Sequence, residues 1–180
     1  STCFNCGSSS GQLVRRLMRY IGIDPGAKGA LCVLDPSSNY PVLFADLSLK
    51  NKANELLNTI RYEVKLGPFP VYIALEDVHS LPGMSAKSNF TFGGMFWRIK
   101  TILECIPVEY ELVNPKNWQD AVGAPTRKFL DGEMDLKVAI ADLAQGYYPE
   151  AHLHGPRGGL MDGRSDALMI AHYLRLKHGG

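Results

Sequence analysis

The spacing of apolar residues changes along the chain and predicts where strands and helices lie. Residues 19–24 and 29–35 have strand character and are separated by a turn that contains Pro and Gly. Residues 41–47 predict a third strand that completes an antiparallel meander, and 51–65 carry leucine and isoleucine at helical spacing. A continuous apolar run over 71–76 then predicts a strand at the centre of a sheet, covered on both faces.

The second half of the chain predicts one strand and several helices. A Gly- and Ser-rich loop at 80–88 leads into a helix over 89–106, and Pro107 precedes a strand over 108–113. Further helices are predicted around Trp118, through Leu136, Ile140 and Leu143 as far as Gly146, and over 162–177. We therefore expect an α/β fold with a ribonuclease-H-like mixed five-stranded sheet flanked by helices.

The composition is typical of one globular domain. The chain has 180 residues, of which 46% are hydrophobic and 21% are charged, enough for a full core. We expect the domain to span 19–180, preceded at 1–18 by a flexible arm or a partial C-x₂-C module. No apolar run reaches the length of a membrane span and no secretion signal opens the chain, so we expect an intracellular protein without membrane contact.

The four cysteines do not indicate a disulfide framework. Cys32 and Cys105 lie inside apolar patterns, where a reduced thiol behaves as a small hydrophobic group. Cys3 and Cys6 have the spacing of half a zinc site, but a structural zinc normally has four ligands. Because the companion ligands are not evident, zinc at this pair is a minor alternative.

Four acidic residues occupy positions where a sheet and its last helix present side chains to one site. Asp24 and Glu76 end the first and fourth predicted strands, and the carboxyl ends of central strands open on a shared crevice. Asp162 and Asp166 are one turn apart on the last helix and share a face. Clustered carboxylates need a cation, and hard oxygen ligands select Mg²⁺ or Mn²⁺. Two such ions support hydrolysis of a DNA phosphodiester without a Ser, Cys or His nucleophile.

Three of these acids also have simpler interpretations. Asp24 stands before Pro-Gly and could form only a turn, and Asp162 could cap the last helix. Asp166 could serve only as a partner for the helix dipole. Glu76 is harder to explain in such terms, because it ends an apolar run and an unpaired acid rarely enters a core.

Five segments occur along the chain in the order IGIDPGAKGALCVL, ALEDVHSLPG, FTFGGMFWRIK, YELVNPKNWQDAVG and MDGRSDALMIAHYLR. Together they resemble RuvC-like Holliday junction resolvases, most closely the phage-type and organellar-type branches. The resemblance covers about 19–177 and implies that Asp24, Glu76 and Asp166 are catalytic, metal-binding carboxylates, with Asp162 the fourth. The last pair departs from the bacterial pattern, which has an acid or His three residues before the final Asp rather than four.

The resemblance also implies partners and a location. It implies a homodimer that nicks two strands of a four-way DNA junction symmetrically, in keeping with a twofold substrate. It implies Mg²⁺ as cofactor, with Mn²⁺ as a substitute. We expect the protein in the cytoplasm of a bacterial host if it is phage-encoded, and otherwise in an organelle matrix.

Local basic residues predict where DNA lies, although the whole chain has a net charge of only +1. Lys28 in the first turn and Arg164 between the last two acids could contact the scissile phosphate, the alternative being exposed surface charge. Residues in loops or at helix starts predict a basic rim, formed by Lys87, Lys116, Arg127, Lys128 and Arg157. The resemblance points to His79 or Phe90 as a wedge between bases, while core or dimer packing is the alternative for Phe90.

Three other functions are weighed against a junction endonuclease. GIDPGAKGA also resembles the phosphate-binding turn of sugar-kinase and actin-like ATPases, but those proteins need two such domains, so we expect no ATP binding. A nuclease of the same fold could act on flaps, other branched DNA or RNA–DNA hybrid, which sequence separates poorly. A non-catalytic DNA-binding module is disfavoured, because four carboxylates would repel phosphate unless metals intervene.

Overall fold

The computed structural model describes residues 18–26, 28–35, 41–47, 53–65, 70–77, 85–125 and 135–179. The strands are β1 (Arg19–Asp24), β2 (Ala30–Leu34), β3 (Pro41–Asp46), β4 (Val71–Glu76) and β5 (Tyr110–Val113). The helices are α1 (Ala53–Lys65), α2 (Ala86–Glu104), α3 (Pro115–Val122), α4 (Leu136–Tyr147) and α5 (Asp162–His178). Five residues with a predicted role lie outside the described ranges: Cys3, Cys6, His79, Arg127 and Lys128.

The strands form one mixed sheet in the order β3-β2-β1-β4-β5. The first three strands make the antiparallel meander that the sequence predicts, while β4 runs parallel to both β1 and β5. Parallel strands can be joined only by a connection that crosses the sheet. Helix α1 lies in the connection between β3 and β4, and α2 lies in the connection between β4 and β5. The predicted ribonuclease-H-like arrangement, with a mixed five-stranded sheet flanked by helices, is therefore confirmed.

Helices cover both faces of the sheet, and the alternation of side chains along β1 shows how. Ile21 and Ile23 point into a core shared with α1 and α2, whereas Tyr20 points into a second core shared with α3, α4 and α5. Successive residues of a strand face opposite sides, so Gly22 and Asp24 lie on the same side as Tyr20. The carboxylate at the end of β1 therefore faces α5.

Helix α5 crosses β1 at unusually short range. A Cβ added to Gly22 would lie 2.1 Å from the backbone oxygen of Ala167 and 2.4 Å from the backbone nitrogen of Ala171. Nearer its start, α5 touches the β1–β2 turn, where Gly29 and Gly163 form an isolated β-bridge. Backbone therefore packs directly on backbone, which leaves the helix little freedom to shift relative to β1.

The starts of α2 and β5 differ from the sequence predictions. Helix α2 begins at Ala86 instead of residue 89, because Ser85 acts as its N-cap and the side-chain oxygen of Ser85 accepts from the backbone nitrogen of Ser88 at 3.1 Å. Strand β5 begins at Tyr110 instead of residue 108, since its register with β4 starts there. No helix within the described ranges is long and apolar enough to cross a membrane.

Candidate active site

Asp24 and Glu76 lie side by side at the carboxyl ends of two neighbouring parallel strands. The register of β1 and β4 pairs Ile23 with Leu75, so the next residues along, Asp24 and Glu76, are neighbours on the same face. Each is only 8% exposed. The predicted convergence of these two acids follows directly from the parallel pairing, because parallel strands bring the same ends together.

Asp24 both forms a turn and belongs to an acidic cluster. Its Oδ1 accepts a hydrogen bond of 2.8 Å from the backbone nitrogen of Gly26, which is the turn geometry that Asp before Pro-Gly favours. Burial, with a smaller contribution from the negative charge of Asp162, raises the pKa of Asp24 to about 6, although the Gly26 hydrogen bond opposes the rise. The turn and the cluster are therefore compatible roles.

Glu76 is held by a buried tryptophan of α3. Nε1 of Trp118 donates a hydrogen bond of 2.8 Å to Oε1 of Glu76. Burial and, to a smaller extent, the nearby charge of Asp24 raise the pKa of Glu76 to about 7, although the Trp118 hydrogen bond opposes the rise. A buried acid with one donor and an acidic neighbour is a costly arrangement unless a cation is present.

Helix α5 adds two more carboxylates from its first turns. Burial raises the pKa of Asp166 well above its usual range, and the charges of Asp24, Glu76 and Asp162 raise it further. Oδ1 of Asp166 is buried and has no hydrogen-bond partner in the part of the chain that the structure describes. Asp166 therefore faces the other acids and does not act simply as a partner of the helix dipole.

Asp162 is not the helix cap that one interpretation of the sequence suggested. The N-cap is Met161, which makes no side-chain capping bond, and Asp162 is the first residue within α5. One Asp162 carboxylate oxygen accepts a hydrogen bond from Nζ of Lys137, in the first turn of α4. Lys137 also interacts electrostatically with Asp166, and these acids raise the pKa of Lys137, the hydrogen bond that it donates to Asp162 having the largest effect. No sequence pattern points to Lys137, because only the tertiary packing of α4 on α5 brings it close to these acids.

The four carboxylates come from three elements, and neighbouring acids raise the pKa values of Asp24, Glu76 and Asp166. They do not form a complete set of metal ligands. Among the described residues, no three or more His, Cys, Asp or Glu side chains are arranged as ligands of a single metal ion. The residues nevertheless fit a divalent cation. Carboxylate oxygens are the ligands that such a cation prefers. The raised pKa of Asp166 and its Oδ1, which lacks a described hydrogen-bond partner, indicate negative charge that a bound cation would neutralise.

Most of the described residues that are predicted to contact DNA are exposed, whereas Arg164 already forms an ion pair within the protein. Lys28, Lys87, Lys116 and Arg157 are exposed, and the Phe90 ring is 85% exposed on α2, so each is accessible to a ligand. Arg164 instead pairs with Asp46 at the end of β3, its Nε lying 2.6 Å from Oδ1. Their contact with DNA stays a prediction for all of these residues. His79, Arg127 and Lys128 lie outside the described ranges.

Solved structures of junction resolvases are similar to this chain. T. thermophilus RuvC in complex with Holliday junction substrate is 19% identical, with a TM-score of 0.53, covering 88% of this chain and 96% of its own. A second Thermus thermophilus RuvC structure is 20% identical, with a TM-score of 0.50, covering 89% and 97%. The yeast mitochondrial Holliday junction resolvase Ydc2 is 15% identical, with a TM-score of 0.55, covering 96% and 89%.

These likenesses lie in structure more than in sequence. No protein-family model and no curated protein matches the chain. The similar structures are matched over nearly their whole length, and the sheet order agrees with the fold that the sequence predicts. The chain therefore has the fold of the RuvC-like Holliday junction resolvases.

Proposed function

We propose that this chain is a Mg²⁺-dependent endonuclease that resolves four-way DNA junctions by paired, symmetric nicks. The observation that carries the proposal is the gathering of Asp24, Glu76 and Asp166 on one face of the sheet, where burial and mutual repulsion raise the pKa of each. The similar structures are those of junction resolvases, one of them in complex with a Holliday junction substrate, which supports branched DNA as the substrate.

The four carboxylates would hold the metal, and the rest of the site would orient them. Divalent ions bound between Asp24, Glu76, Asp162 and Asp166 would supply activation of a water and stabilisation of the leaving 3′ oxygen. The protein itself orients two of these ligands. Trp118 donates a hydrogen bond to Glu76, and the backbone nitrogen of Gly26 donates one to Asp24. Oxygen ligands suit Mg²⁺, and Mn²⁺ can take its place.

A basic rim would hold the DNA backbone despite the balanced total charge. Of the rim residues, Lys87 and Lys116 lie in the first turns of α2 and α3 and Arg157 lies in the segment before α5, and all three are exposed. Lys28, the separate candidate for the scissile phosphate, is exposed in the turn after β1. Neutralising phosphates releases counterions, so junction affinity should fall as salt rises, and each removed lysine should reduce the slope by about one. Salt-independent binding would remove the rim from the proposal.

We also propose that the protein acts as a homodimer that pairs through α2. Phe90 and Trp97 are 85% and 60% exposed and lie two turns apart on one side of this helix. Gly94 lies between them, and a Cβ added there would meet nothing within 4 Å. Antiparallel pairing about a twofold axis would seat Trp97 of each copy over Gly94 of the other and place Lys87 opposite Glu104. This pairing would place a bulky side chain over a small one and a positive charge opposite a negative one.

The oligomeric state tests this pairing directly. Light scattering should give the mass of two chains for the wild type, and Trp97→Asp should give the mass of one. Tyr62→Asp is the matched control, since Tyr62 is an aromatic residue of α1 with 63% exposure, and it should leave the dimer intact. A dimer that survives Trp97→Asp would contradict pairing through α2.

Cleavage of defined substrates tests the main proposal. The protein is incubated with a four-way junction, a duplex, a flap and an RNA–DNA hybrid, each with and without Mg²⁺. We expect paired nicks in the junction alone, only with Mg²⁺, and no binding of ATP. Glu76→Gln should abolish cutting while junction binding persists, and Asp142→Asn, which changes an exposed acid of α4, should leave both unchanged.

The outcomes separate the alternatives. An uncut junction, or full activity in Glu76→Gln, would overturn the proposal. Equal cutting of the flap or the hybrid would instead favour another nuclease of the same fold, since the carboxylate chemistry does not depend on the branch.

A further inference from the structure

Arg164 and Asp46 form a two-point ion pair beside the carboxylate cluster. Nε and Nη2 of Arg164 donate to the two carboxylate oxygens of Asp46 at 2.6 and 2.8 Å, which fixes the relative orientation of both groups. Nη1 donates to the backbone oxygen of His152 at 3.1 Å, and the guanidinium carbon lies 5.4 Å from the centre of the Phe44 ring. Each guanidinium nitrogen of Arg164 therefore has a protein partner.

The pair connects the helix that carries two candidate ligands to an edge strand. Arg164 lies in the first turn of α5 between Asp162 and Asp166, and Asp46 is the last residue of β3. The amino end of a helix carries a partial positive charge, which repels the positive charge of Arg164. Arg164 therefore does not stabilise α5 through the helix dipole. Its favourable interactions come from β3 and from the backbone at residue 152, and they hold the start of α5 against these segments.

We propose that the Arg164–Asp46 pair is a tether that positions Asp162 and Asp166 against Asp24, and that Arg164 is a positioning residue and not a phosphate contact. The inference rests on the proposed function, because the positions of these carboxylates matter for metal binding. A phosphate would have to displace a carboxylate that bonds through both oxygens, from an Arg164 side chain that is only 20% exposed. Such an exchange would gain little binding free energy, because one charged pair would replace another.

Metal affinity distinguishes the two roles of Arg164. Loss of the tether should weaken metal binding, whereas loss of a phosphate contact should not affect it. Mn²⁺ binding to the metal-free protein is measured by calorimetry for the wild type, Arg164→Gln, Asp46→Asn and the double variant. We expect each single change to weaken Mn²⁺ binding roughly tenfold to hundredfold, which is typical when a residue that supports metal ligands is lost. The double variant should be no weaker than the weaker single variant, because both changes remove the same contact. Arg164→Lys should restore only part of the affinity, since an ammonium lacks the two-point geometry.

DNA binding supplies the second readout. Junction affinity without metal is measured over a range of salt for the same proteins. The tether predicts an unchanged affinity and an unchanged salt slope for both single variants. A phosphate contact predicts instead that Arg164→Gln weakens binding and lowers the slope by about one, while Asp46→Asn, which removes a negative charge, leaves binding unchanged or tighter.

The opposite end of α5 offers a matched control. Lys177 forms an ion pair with Glu111 of β5, the other edge strand, so this pair also joins α5 to the sheet, but at the end of the helix opposite to Asp162 and Asp166. Lys177→Gln and Glu111→Gln should leave Mn²⁺ affinity unchanged. Equal losses at both ends of the helix would show a general effect on α5 packing and would overturn the tether.

The remaining outcomes are also decisive. Unchanged Mn²⁺ affinity in Arg164→Gln and Asp46→Asn, with a wild type that binds Mn²⁺ and cuts junctions, would overturn the tether and leave the proposed function standing. A wild type that neither binds Mn²⁺ nor cuts junctions would overturn both. If Arg164→Gln does not fold, as judged by circular dichroism, Asp46→Asn decides alone, because it keeps the size and shape of the side chain.

Discussion

Nε1 of Trp118 in α3 donates a hydrogen bond of 2.8 Å to Oε1 of Glu76 at the end of β4. The two side chains are only 1% and 8% exposed, so no bulk water competes for the bond. It orients the carboxylate and favours its ionised form, which partly offsets the burial that raises the pKa of Glu76. Helix α3 thus supports the site although it contributes no carboxylate to it.

Trp118→Phe tests this support. The change removes the donor and part of a buried ring, so we expect a loss of about 2–4 kcal/mol in unfolding free energy and about a tenfold loss in cleavage rate. Urea unfolding and single-turnover cleavage measure the two effects. Tyr148→Phe is the control, because it removes a buried hydroxyl that lies 2.7 Å from Nδ1 of His172, away from the carboxylates. Equal loss of cleavage in both variants would contradict a specific role for Trp118.

Glu76→Gln should stabilise the metal-free protein. The pKa of Glu76 is about 7 in the folded state against 4.5 without the fold, so the folded state binds the proton more tightly. The charged form therefore costs stability above pH 7, and that cost disappears as pH falls toward 4.5. We expect Glu76→Gln to gain about 1–3 kcal/mol at pH 8 and nothing near pH 4.5. Urea unfolding in a chelator measures this, and an unchanged stability at pH 8 would contradict it.

His172 should make the protein sensitive to acid. Burial and, to a smaller extent, the charge of Arg175 lower the pKa of His172 to about 4. Because the unfolded chain takes up this proton near pH 6.5, the stability contributed by neutral His172 is complete above pH 6.5 and is lost as pH falls toward 4. The loss should be at most about 3 kcal/mol.

Paired unfolding curves isolate this contribution. We expect the wild type to lose more stability between pH 7 and pH 4.5 than His172→Phe, which cannot titrate. His154→Gln, which changes an exposed histidine, should follow the wild type. Parallel pH profiles for the wild type and His172→Phe would contradict the assignment.

Gly22→Ala tests the close crossing of α5 over β1. The new Cβ would lie 2.1 Å from the backbone oxygen of Ala167, so the helix must move, and we expect a loss of at least about 3 kcal/mol. Gly146→Ala in α4 is the matched change, because a Cβ there meets nothing within 4 Å, and it should gain about 0.5–1 kcal/mol. Thermal unfolding compares the two, and a mild effect of Gly22→Ala would show that α5 has room to shift.

The sequence was most informative where a periodic pattern met an unusual residue. The apolar run that ends at Glu76 predicted both a central strand and an acid at its carboxyl end, and the structure has both. The sequence was least informative about the residues of other helices and strands that contact the predicted site residues. Lys137, Trp118 and Asp46 all touch predicted site residues, yet each is far in sequence from its partner and none carries a local signal.

Sequence alone determined the order of strands and helices, the mixed sheet and the acids that end β1 and β4, because side-chain period and turn residues act over a few neighbouring positions. Tertiary structure alone decided that Asp162 lies within α5 instead of capping it, that Arg164 pairs with Asp46, and that the charges of Asp24, Glu76 and Asp162 raise the pKa of Asp166. These properties depend on distances between elements that are far apart along the chain. Such distances are set by packing, above all by the backbone contact of α5 with β1 at Gly22.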